Sequence, residues 1–108
     1  MGQLLFKKCF WQPIRDGQKR STIRRWDRQR LRAGQRAYSL GLGWLVIESI
    51  EVIEDLTTLS PEIARADGFN SVSDLLTKLK ELYPDASGDG KKWFLLRFRT
   101  EMLLERKI

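Results

Sequence analysis

Between Ser71 and Pro84 the chain repeats apolar residues at the period of an α-helix: Val72, Leu75, Leu76, Leu79, Leu82 and Tyr83 fall at i, i+3, i+4 and i+7. Ser71 offers a capping hydroxyl with Asp74 in the position of a capping-box acid, and Pro84 ends the pattern because it lacks an N–H and its ring clashes with the preceding turn. A stripe of this kind has to be covered, so the helix needs a second layer to pack on.

Segments with a two-residue period supply that layer. From Lys92 to Thr100, Phe94, Leu96 and Phe98 share one face while Trp93, Leu95, Arg97 and Arg99 share the other. Gln3 to Phe6, Thr22 to Arg24, Arg36 to Leu40 and Trp44 to Glu54 also read as strands. Gly41-Leu42-Gly43 separates the last two as a hairpin or bulged turn, and Leu45-Val46-Ile47 is apolar on both faces, which predicts cover on each side. Phe10 to Gly17 reads as a single helical turn, and Ser60-Pro61-Glu62 as a helix start whose helix stops near Gly68. Asp27 to Arg32 and Asp85 to Gly90 are loops by composition, and the last eight residues read as a helical tail or an expression remnant. Strands and helices are segregated rather than alternating. An α+β fold follows, built on a small mixed β-barrel of five to six strands with two to three helices.

With 108 residues, 42% of them hydrophobic, the chain is expected to form one domain over 1–108 with a core of its own. Cys9 is the only cysteine and histidine is absent, which excludes a disulfide framework, a zinc site and a histidine-based triad within one chain. Cys9 reads as a small buried residue rather than a reactive thiol. No stretch approaches the roughly 20 apolar residues of a membrane span, so a cytoplasmic protein without membrane contact is expected.

Charge is distributed unevenly. Eleven basic and two acidic residues precede Ala37, three basic and ten acidic residues occupy 37–90, and six basic and two acidic residues follow. In a compact domain the two basic ends are positioned to form one anion-seeking face. The alternative is that these charges only solvate the surface.

Within the first basic segment, Gly17, Lys19, Thr22 and Arg24 stand at the spacing Gly-x-Lys-x-x-Thr-x-Arg, with Phe10 and Ile14 upstream and Gly34 downstream. This pattern resembles the signature of the ASCH family of PUA-like domains, and the order of elements from Leu4 to Arg99 is similar too. Gln35 departs from it, since the family commonly has Asp after the glycine, which puts the hydrogen bonding of that turn in question. The resemblance implies a PUA-like fold. The small bacterial members of similar size are amidohydrolases that cleave N4-acetylcytidine to cytidine and acetate with a lysine, a threonine and an acid. Carried over one at a time, the lysine falls on Lys19 and the threonine on Thr22. The acid falls on Asp67 in Ala66-Asp67-Gly68-Phe69, where the relatives have the longer Glu.

The chemistry of these residues is coherent. Amide cleavage needs an oxygen nucleophile, a base, a donor for the oxyanion and an acid for the leaving nitrogen. Thr22 serves as nucleophile with Lys19 as base, provided that burial and the like charges of Arg20, Arg24 or Arg25 lower the lysine pKa from its reference of about 10.4. Asp67 protonates the departing base or orients Lys19. Arg24, Trp26 and Phe10 are candidate substrate-binding residues, Arg24 for a carbonyl or the oxyanion and Trp26, set among arginines, for stacking on a base. No cofactor or metal is implied, and the expected partner is a small acylated nucleoside met by a monomer. The competing reading is an RNA-binding module, or a ribonuclease, that uses the basic face; Arg25 and Arg28 would then hold phosphate. If Lys19 and Thr22 are purely catalytic, alanine at either leaves the melting temperature nearly unchanged.

Overall fold

In the computed structural model, which describes residues 2–101, five strands form one mixed sheet in the order β1-β3-β4-β5-β2. They are β1 (Gly2–Gln3), β2 (Ser21–Trp26), β3 (Arg36–Ser39), β4 (Gly43–Ile53) and β5 (Lys92–Thr100). Only β1 and β3 run parallel; all other neighbours are antiparallel. The sheet curls into a half-barrel whose edges are β1 and β2. Three α-helices complete the α+β architecture: α1 (Trp11–Arg15), α2 (Pro61–Ala66) and α3 (Val72–Leu82). The expectation of a helical tail concerns residues outside the described range.

The alternation along β5 divides the interior in two. Phe94, Leu96 and Phe98 join Leu4, Ile14, Leu31, Ala37, Leu42, Leu45 and Ile47 in a core on one face of the sheet. Leu95 joins Ile23, Leu59, Ala64, Leu75 and Leu79 in a second core beneath α2 and α3. The register of β4 against β5 shifts between Ile47 and Ser49, a bulge that changes which residues face inward, so that Leu45 and Ile47 are followed on the first core by Ile50 rather than Ser49.

Caps hold the helices where the sequence places them. Ser60 Oγ accepts from Ile63 N with Pro61 in the first turn, and Ser71 Oγ accepts from Asp74 N. The opening strand is shorter than expected, because only Gly2 and Gln3 pair and the chain then leaves the sheet after Leu4 N donates to Tyr38 O. From there Leu5 to Phe10 is free to cross towards α3. That path is fixed by Trp11, whose Nε1 donates to Phe6 O at 3.1 Å. The turn at Gln35 is closed despite the substitution, since its Oε1 accepts from Arg32 N at 3.0 Å while its own N–H bonds to Arg32 O.

Gly41, in the β3–β4 turn, has φ of +88° and faces the Trp11 ring so closely that a Cβ there would lie 2.5 Å from the ring carbons. Gly41→Ala therefore meets both backbone strain and a clash, and should cost about 1–3 kcal/mol, read as a lower Tm. An unchanged Tm would mean that Trp11 does not anchor this part of the chain.

Candidate active site

The turn after α1 delivers the signature. Gly17 takes φ of +79°, and Gln18 and Lys19 both donate their N–H to Pro13 O, which directs the chain straight into β2. Lys19 stands just ahead of that strand, and Thr22 and Arg24 follow on one side of it. Across the sheet they register with Leu96 and Phe94, so they face the first core, while Ser21 and Ile23 face the helices. Because β2 is an edge strand, its flank opens on a cavity of about 180 Å³.

Lys19, Thr22, Arg24, Phe10 and Asp67 all line this cavity, so five of the six residues proposed from sequence converge. Trp26 does not. It lies two residues beyond Arg24 and packs on the first core, its ring 5.4 Å from that of Phe94. The walls also contain Phe6, Phe69, Lys78 and Tyr83, which the sequence reading missed.

Lys19 and Asp67 form the buried centre. Both are about 4% exposed, and the ammonium lies 3.3 Å from Asp67 Oδ1 and donates to the Asp67 carbonyl oxygen at 2.8 Å. Asp67 is the C-cap of α2, so Lys19 also satisfies a carbonyl at the helix terminus, where a cation is favoured. Gly68, with φ of +96°, lets the chain turn there; a Cβ in its place would touch the aliphatic stem of Lys19. Ser21 Oγ donates to Asp67 Oδ1 at 3.2 Å. Three phenylalanine rings surround the ammonium, with centroids at 5.0 Å for Phe10, 5.9 Å for Phe69 and 6.0 Å for Phe6.

Burial moves both groups towards their neutral forms. Desolvation holds the Lys19 ammonium below its ordinary range, against the attraction and hydrogen bonding of Asp67, with Arg24 adding a smaller downward push. Desolvation also raises the Asp67 carboxyl, against the stabilising effects of Lys19, Ser21 and Arg24. The outcome is a lysine that gives up its proton, and a carboxyl that keeps its proton, more readily than either would in water. Burial, more than crowding by neighbouring cations, is thus the cause.

Thr22 is also 6% exposed, and its Oγ1 accepts from Arg24 Nε at 3.1 Å, leaving its proton available to donate. Arg24 is fixed in turn by Leu5 O, which accepts from Nη2 at 2.6 Å, and by the Phe6 ring 4.8 Å from its guanidinium carbon. No group of His, Cys, Asp and Glu suited to a metal ion occurs among the described residues. No helix among them is long and apolar enough to cross a membrane.

Two further expectations change. Cys9 is exposed rather than buried. Arg25 is not presented for phosphate: its Nη2 lies 3.0 Å from Asp89 Oδ1, it donates to Ala86 O, and its guanidinium covers Trp93. Arg36, Arg97 and Arg99 form surface pairs with Glu101, Glu51 and Glu48. Arg28, Arg30 and Arg32 are exposed in the loop after β2, Arg30 in a surface pair with Asp27 at 3.2 Å.

No protein-family model matches the chain, and no curated protein matches it by sequence. Solved structures do match in fold. The hypothetical protein PH0355 is 14% identical with a TM-score of 0.75, over 91% of this chain and 96% of its own. A protein from Enterococcus faecalis V583, EF3133 of family DUF984, is 17% identical with a TM-score of 0.70, over 94% of this chain and 80% of its own. An ASCH domain from Lactobacillus crispatus JV V101 is 12% identical with a TM-score of 0.60, over 85% of this chain and 70% of its own. The chain has an ASCH-like, PUA-like fold.

Proposed function

We propose that the chain is an amidohydrolase that cleaves the N4-acyl amide of N4-acetylcytidine, or of a similar N4-acylated cytidine, to cytidine and the carboxylic acid. The observation that carries this reading is the meeting of Lys19, Thr22 and Asp67, all buried, in one cavity of about 180 Å³. A dry cavity of roughly 150 Å³ accepts benzene, so this one has room for a single pyrimidine ring. Phe6, Phe10 and Phe69 supply apolar and stacking surface for such a ring.

In this reading neutral Lys19 turns from Asp67 to Thr22 and takes the hydroxyl proton as Oγ1 attacks the acyl carbon. The carbonyl electron pair moves to oxygen, and the cationic Arg24 beside Thr22 offsets the charge that forms. The oxyanion's electron pair then re-forms the carbonyl as the C–N bond breaks, the bond pair stays on the exocyclic nitrogen, and the newly protonated Lys19, directly or through Asp67, gives up the proton that completes cytidine and so returns to its neutral form. Water attacks the remaining threonine ester with Lys19 again as base; as the adduct collapses the bond from Oγ1 to the acyl carbon breaks, Lys19 returns its proton to Oγ1, and the carboxylic acid leaves with Thr22 restored.

The RNA-binding reading draws on the exposed Arg28, Arg30 and Arg32. Equilibrium binding to the Thr22→Ala chain separates the two. N4-acetylcytidine should saturate one site and shift the ring resonances of Phe6, Phe10 and Phe69. Preference for an RNA oligomer, with affinity falling steeply as salt rises and no shift of those rings, would replace the hydrolase reading with the binding one.

A further inference from the structure

With room for about one ring in its roughly 180 Å³, the cavity would leave the sugar of a bound nucleoside outside. The ionisable residues lining the site are lopsided: Lys7, Lys19, Arg24 and Lys78 are basic, and Asp67 is the one acid among the lining residues. Lys19 is spent on Asp67, and Arg24 on Leu5 O and Thr22. The other two cations come from separate elements. Lys7 is exposed on the segment that crosses from β1 to α1, and Lys78 is half-buried on α3. Lys78 reaches the same ring as the buried lysine, its Nζ 5.8 Å from the Phe10 centroid where Lys19 Nζ is 5.0 Å from it.

We infer that Lys7 and Lys78 form a phosphate subsite, and that the preferred substrate is an acylated cytidine mononucleotide rather than the free nucleoside. The substrate half of this inference rests on the hydrolase reading; the subsite does not. Lysine acts on phosphate as a point charge, and two ammonium groups from separate elements lining one cleft add their attraction for an incoming dianion. The present partner of Lys78 is a weak competitor. Glu81 Oε1 lies 3.6 Å away in an i,i+3 pair on the helix surface, with its side chain 63% exposed, and such pairs are worth little.

The test compares kcat/KM for N4-acetylcytidine 5′-monophosphate and for N4-acetylcytidine, with calorimetric binding of cytidine 5′-monophosphate and cytidine as an arm that needs no turnover. The nucleotide should be favoured about tenfold or more at low ionic strength, with the advantage shrinking as salt rises. Lys7→Ala and Lys78→Ala should each reduce the ratio, and the double variant should bring it close to one. If both acylated compounds turn over equally and the two products bind alike, the phosphate subsite is wrong and the hydrolase reading stands. If neither turns over but the monophosphate binds more tightly than cytidine in a Lys78-dependent way, the subsite stands and the hydrolase reading falls. An RNA oligomer that outcompetes the monophosphate would overturn the mononucleotide assignment.

Discussion

Thr22→Ala is expected to lower kcat/KM for N4-acetylcytidine by on the order of 10³–10⁴-fold, the scale seen when an activated nucleophile or its base is removed. Its cost in stability should be small, about 1 kcal/mol, because the substitution removes one hydrogen bond from Arg24 Nε. Arg24 keeps its bond to Leu5 O and its contact with Phe6, so it is not stranded. Steady-state kinetics beside a thermal melt separates the two effects. A Tm loss as large as that of a core truncation would mark Thr22 as structural, and near-normal turnover would remove it as the nucleophile.

Lys19→Ala behaves differently, and here the structure revises the expectation of an unchanged Tm. The variant leaves Asp67 at 4% exposure without its cation and leaves the α2 C-terminal carbonyl without its donor. Removing one partner of a buried pair costs about 3–5 kcal/mol, although Ser21 still bonds to the remaining carboxylate. Turnover should be lost as well. The defect should depend on pH with a definite sign. Asp67 already has a folded-state pKa above its ordinary 3.8, and loss of Lys19 raises it further. A carboxyl whose folded pKa is raised binds its proton more readily in the folded state, so the variant is least penalised in acid and loses stability as pH climbs through that raised pKa. Lys19→Ala combined with Asp67→Asn should recover most of the stability at neutral pH and none of the activity. Denaturant unfolding of the three chains at pH 5 and pH 8 checks this. A penalty that does not vary with pH, or a double variant no more stable than Lys19→Ala, would show that the ion pair is not what the core depends on.

The elements carried by short-range patterns were the legible ones. The leucine period of α3 and the alternation of β5 appear as read, down to which β5 residues face each core. Pairings between distant segments were not legible. The parallel contact of β1 with β3 and the bulge that brings Ile50 onto the first core depend on partners that no local pattern specifies. The site divides in the same way. Lys19, Thr22 and Arg24 lie within six residues of one another, and Asp67 is marked by the helix end beside it. Phe6, Phe69 and Tyr83 look in sequence like any apolar or aromatic core residue, and only the crossing of the Leu5–Phe10 segment towards α3 makes them walls. Lys78 shares a helix face with Leu75 and Leu82, a weak signal of a cation over a cavity. Trp26 misled because an aromatic among arginines reads the same whether it stacks on a base or, as here, packs at a tilt against Phe94.

The central claim is that a buried lysine, its pKa lowered by desolvation, serves as the base for amide hydrolysis in this cavity. The pH dependence of kcat/KM for cytidine release from N4-acetylcytidine by the unmodified chain tests it most directly. Cytidine should appear, and the rate should rise with pH to a plateau whose midpoint lies below lysine's ordinary 10.5, because burial lowers the Lys19 pKa. Absence of cytidine at every pH from neutral to mildly alkaline would contradict the claim.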